Sequence, residues 1–167
     1  METKFNDLKA KHLQLVTAQV QLRNNLQEKA SVLVQEYFKS LSLPADRWFI
    51  AQNEPRAYVE IGVLNAKGEF EPAYLPRLQL DSNYRLNFLI VTTLDDTPIT
   101  GGYRHGVSVS LYYEGAKLYA LVGAGDDAST FAVPSKPEGF SEVCEAIKSL
   151  IIAGIDKSMP KVVLESK

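Results

Sequence analysis

Apolar side chains return every third or fourth residue through the first forty positions. The stripe runs Phe5, Leu8, Leu15, Leu22, Leu26, Ala30, Leu33 and Tyr37, with His12 and Gln19 filling its polar gaps. Good helix formers dominate, and neither Gly nor Pro occurs before Pro44. The pattern predicts an amphipathic helical region over residues 1–43, roughly 65 Å long at about 1.5 Å per residue. Asn24 and Asn25 are poor helix-interior residues and mark the place where two helices would meet if the region were broken. Leu26, Ala30, Leu33, Val34, Tyr37, Phe38 and Leu41 make a broad face suited to lying on a sheet. The first half carries a narrower seam, widened on one side by Leu13, Val16 and Val20.

Past Pro44 the apolar period changes from 3.6 to 2. Strands are expected at 48–52 and 57–65, then a broken or edge strand at 70–80, where Pro72 and Pro76 cannot donate to a ladder. Residues 84–94 form the most apolar run, expected to be covered on both faces. Residues 95–102 read as a polar loop ending in Gly101-Gly102. Strict alternation over 107–113 turns Val107, Val109, Leu111 and Tyr113 inward, with Ser108, Ser110 and Tyr112 outward. A hairpin at Glu114-Gly115 leads into 117–123, and a short strand follows at 129–133.

Ser135 and Glu138 fit a capping box with Pro137 in the first turn, so a second helix is expected from there to about Ala153, with Gly154 as terminator. Residues 161–167 read as a brief strand or a tail. The class is therefore α+β: a long N-terminal helix, an antiparallel meander of six to seven strands, and a C-terminal helix packed on the sheet. Residues 44–167 make one domain together with the docked part of the helix.

Length sharpens this picture. A 167-residue chain supports one well-buried domain, and its remainder should span about 35 to 40 Å, from a radius of gyration near 14 Å. A helix longer than its domain calls for association with another chain. The second half should dock on the sheet and the first half should meet a partner, so a homodimer through the N-terminal helix is expected.

Charge and cysteine usage remove other classes. A net charge of −2 leaves no electrostatic footprint for nucleic acid or for an anionic membrane surface. The opening METKFNDLKAKH is charged and lacks the apolar core of a secretory signal. One cysteine, Cys144, forms no intrachain disulfide and no multi-cysteine metal site. A cytoplasmic protein is the expectation.

Candidate chemistry is sparse. Arg104 and His105 follow a Gly pair and Tyr103, a setting able to hold an anion or supply a general base, yet no nucleophile or orienting carboxylate is assigned to them. Asp95-Asp96 and Asp126-Asp127 lack calcium-loop spacing and suit turns. Gly123-Ala124-Gly125 lacks the third Gly and following helix of a phosphate loop. Cys144 sits on an apolar helix face as an inert thiol. His12 occupies the helix seam, where a polar residue sets register or oligomeric state.

No catalytic residue, metal or cofactor is therefore expected. The favoured function is a non-enzymatic interaction module of the adaptor, chaperone, inhibitor or immunity type. Its candidate contact residues are Leu8, His12, Leu15, Gln19 and Leu22 on the helix, and Tyr103, Arg104, His105 and Tyr112 on the sheet domain. The alternative is a small enzyme or ligand binder with a pocket between sheet and helix, built from His105, Arg104 and Asp126/Asp127.

Overall fold

A computed structural model describes residues 2–50 and 54–164. Helix α1, Phe5–Ser40, is continuous over 36 residues. There is no break at Asn24-Asn25, because Asn25 is engaged: its Oδ1 accepts the Tyr113 hydroxyl at 2.6 Å. At the helix start, Asp7 Oδ2 accepts the backbone N–H of Lys4 at 2.9 Å, one of the orphan donors of the first turn.

Eight strands follow: β1 Arg47–Ile50, β2 Glu54–Ala57, β3 Val59–Leu64, β4 Phe70–Pro72, β5 Leu86–Thr93, β6 Arg104–Glu114, β7 Lys117–Val122 and β8 Ser129–Val133. β1 and β2 form a separate two-stranded ladder, while the other six build an antiparallel sheet in the order β4-β3-β5-β6-β7-β8. The architecture is the expected α+β arrangement, with a six-stranded main sheet and an added hairpin. Of the strand expected at 48–52, residues 51 and 52 lie outside the described residues. The expected 57–65 strand is β3, with Ala57 instead ending β2, and the 70–80 segment shrinks to the edge strand β4 and a 3-10 turn at Leu75–Arg77.

Helix α2, Ser141–Ser158, starts later and ends later than the sequence suggests. Glu138 has φ +61°, a left-handed conformation that no helix continues through, so the Ser135–Glu138 capping box does not form. The cap comes from α1 instead. Glu36 Oε2 accepts the Phe140 N–H at 3.0 Å, across 104 residues of sequence. Gly154 lies inside α2, not at its end. Residues 161–164 carry no regular structure, and 165–167 lie outside the described residues.

The main core lies between one sheet face and the two helices. Leu86, Phe88 and Ile90 of β5 align with Leu111, Val109 and Val107 of β6, and Leu118, Ala120 and Val122 of β7 extend the layer. Onto it α1 buries Leu26, Ala30, Leu33 and Tyr37, and α2 buries Val143, Cys144, Ile147 and Ile151. The Tyr37 hydroxyl and Thr92 Oγ1 share a buried hydrogen bond of 2.7 Å, so this buried polar tip is satisfied.

Candidate functional site: the projecting half of α1

The four buried residues of α1 have counterparts earlier in the helix. Leu8, His12, Leu15 and Gln19 each stand eighteen positions before Leu26, Ala30, Leu33 and Tyr37. Eighteen residues are five turns at about 3.6 per turn, so the two sets share one line along the helix. The later set lies on the sheet with no exposed surface, whereas Phe5 is 75% exposed, Leu8 62% and Leu15 48%. The sheet-facing stripe thus runs on past the end of the sheet for roughly 21 Å between Phe5 and Gln19.

Among the described residues, side-chain hydrogen bonds of α1 to its own domain begin at Gln19. Its Nε2 donates to the Tyr84 hydroxyl at 3.3 Å, and Gln27 Nε2 donates to the carbonyls of Leu78 at 2.8 Å and Pro76 at 3.3 Å. Leu22 is half-buried and packs against the core. Val16, Gln19, Val20 and Arg23 face Leu80, Asp81, Ser82 and Tyr84 across a groove of about 350 Å³ at the base of the arm. Among the described residues, no side-chain hydrogen bond or ion pair ties residues 5–18 to the sheet domain. Of the expected helix contacts, Leu8, His12 and Leu15 are free, while Gln19 and Leu22 belong partly to the monomer.

The sheet-domain candidates do not come together. Arg104 and His105 are strand residues rather than loop residues, and they point to opposite faces. Arg104 Nη1 lies 3.6 Å from Glu60 Oε2, with its guanidinium 5.4 Å from the centre of the Phe70 ring. His105 faces inward, opposite Thr92, and its imidazole packs against Gly154 of α2. Asp127 pairs with Lys157 at 3.0 Å. The pocket built from His105, Arg104 and Asp126/Asp127 is therefore not assembled. Tyr112 is a correction of another kind: only 9% exposed, it lies beneath the Arg85 guanidinium at 4.0 Å and beside Tyr119 at 5.8 Å, so it is packed rather than free. Tyr103 remains exposed just before β6.

Two polar features escaped the sequence. On the uncovered sheet face the Ser110 hydroxyl donates to Asn87 Oδ1 at 2.6 Å, and Asn87 Nδ2 donates to Asp81 Oδ2 at 2.8 Å. The Arg85 backbone N–H, then the Asn87 amide, hold the Asp81 carboxyl below its ordinary range. The Tyr58 hydroxyl donates to Asp96 Oδ2 at 2.6 Å, which with burial pushes its pKa up to about 12. Both are closed networks: register brings Ser110 opposite Asn87, while Tyr58 and Asp96 meet from outside the strands. Cys144 is buried, and desolvation first, then the Glu36 charge, raise its thiol to about 11, a poor nucleophile. Among the described residues no cluster of three or more His, Cys, Asp or Glu is placed to hold a metal ion, and no helix is long and apolar enough to cross a membrane.

No family model, curated protein or solved structure matches this chain.

Proposed function

We propose that this protein is a non-enzymatic protein-interaction module whose projecting arm, residues 5–18, is covered in use by a helix of another polypeptide. The observation that carries the reading is the five-turn repeat: the stripe that buries Leu26, Ala30, Leu33 and Tyr37 continues through Leu8, His12, Leu15 and Gln19 with no sheet beneath it. Exposed Leu and Phe along one continuous helix line are what an interface requires and what a free monomer gains nothing from. The scattering of His105, Arg104 and Asp127 over separate partners supports the same reading against a catalytic pocket.

The second copy expected from the sequence serves as a surrogate partner, with added salt screening the basic arms from each other. At high protein concentration in about 0.5 M salt, light scattering should give a mass rising above the 18.5 kDa of one chain. The Leu8→Asp/Leu15→Asp variant should remain at one chain and stay folded, because an unpaired carboxylate in an apolar seam costs several kcal/mol. Association unchanged in that variant would contradict the arm as contact surface. Unfolding of the variant would place these leucines in the monomer core.

A further inference from the structure

We infer that the arm's partner is an acidic amphipathic helix of a different protein rather than a second copy of this chain. The inference rests on the arm being the contact surface and adds the chemistry of what covers it. Phe5, His12, Gln19 and Leu26 recur at intervals of seven, as do Leu8, Leu15 and Leu22, so the stripe is a heptad seam with alternating three and four spacing. In a helix pair the positions bordering such a seam meet the partner's borders and select it. Here, within α1, those borders are Lys9, Val16 and Arg23 on one side and Lys11, Ala18 and Asn25 on the other. Three are basic and none is acidic. From Lys4 to Arg23 the only carboxylate is Asp7, which lies off the seam and holds the Lys4 N–H.

Self-pairing therefore sets lysines and arginines against one another and brings no carboxylate to meet them, a like-charge arrangement that works as specificity against the wrong partner. Arg23 stands at the base of the arm, beside the groove with Leu80 and Tyr84. A helix with Leu in its seam and Glu on its borders gives apolar cover to Phe5, Leu8 and Leu15 and carboxylates to Lys9 and Lys11. An anionic lipid surface would also meet basic charge, but it favours a wide apolar face, and His12 and Gln19 interrupt this narrow one.

The test uses the full chain and two synthetic helical peptides of about three heptads with Leu at both seam positions. One carries Glu on its borders and its twin carries Lys. The chain should bind the Glu peptide at least about tenfold more tightly than the Lys twin, with the preference shrinking as salt rises from about 50 mM to about 0.5 M. Leu15→Asp should abolish binding, and Lys9→Glu/Lys11→Glu should reverse the preference. Equal binding of both peptides, binding of neither, or self-association at low salt as firm as binding to the Glu peptide would overturn the inference while leaving the arm reading standing on its own test. Uptake by phosphatidylserine-containing vesicles that is lost in Leu15→Asp would replace the helix with a membrane. Peptide binding indifferent to Leu15→Asp would instead sink the arm reading itself.

Discussion

At the scale of single residues, His105 shows how position overrides type. Its imidazole lies against Gly154 inside α2, where a Cβ would overlap the ring. Gly costs a helix interior up to about 1 kcal/mol relative to Ala, and here that cost makes room for an aromatic ring. Gly154→Ala should therefore destabilise the protein, by about 1–3 kcal/mol in urea unfolding. In the His105→Ala background the same change should cost far less, the non-additivity of residues in contact. Additive losses would remove His105 from this packing role.

Tyr58 offers a second test, in pH. Its folded pKa of about 12 lies above the model-peptide value of 10.0, so the Asp96 contact stabilises the fold fully below pH 10 and is lost as pH rises through 12. The unfolding free energy should fall over that window more steeply in the parent than in Tyr58→Phe. Parallel curves would contradict the Tyr58–Asp96 bond. Neither contact was legible in the sequence, because each joins residues 38 or more positions apart. The loop expected at 95–102 lies between β5 and β6, while β6 begins at Arg104, ahead of the strict alternation that starts at Val107. Alternation at Val107, Val109 and Leu111, by contrast, states its inward face directly, and the structure keeps that face.

Among elements, α1 and α2 differ in how much of their limits is local. The start of α1 has a local contact, Asp7 with the Lys4 N–H, its last carbonyl, Ser40 O, also accepts Lys148 Nζ of α2 at 3.1 Å, and its period alone revealed the stripe. The start of α2 depends on Glu36, an acceptor from another helix, so the local Ser135–Glu138 signal misplaced it. Glu36→Ala should cost about 1 kcal/mol or more, because the Phe140 N–H loses its partner in a half-buried setting. An unchanged melting temperature would show that water replaces the carboxylate without loss. Within α1 the two halves should separate cleanly. Leu26→Ala, fully buried, should lose about 2–5 kcal/mol, while Leu8→Ala on the arm should change stability by less than about 0.5 kcal/mol. Comparable losses at both positions would mean that the arm is packed in the monomer.

For the molecule as a whole, a sheet domain closed by two helices carries a continuous helical arm whose apolar line has no cover of its own. Hydrogen exchange reports that condition amide by amide, since an isolated helical stretch of this length is marginal in water without packing. In the free chain at low concentration, amides of residues 8–18 should exchange orders of magnitude faster than those of residues 26–40. Addition of the Glu-bordered heptad peptide should slow the arm amides toward the rates of the docked half. Arm amides as slow as the docked half in the free chain, or arm amides unmoved when the peptide is bound, would contradict the account.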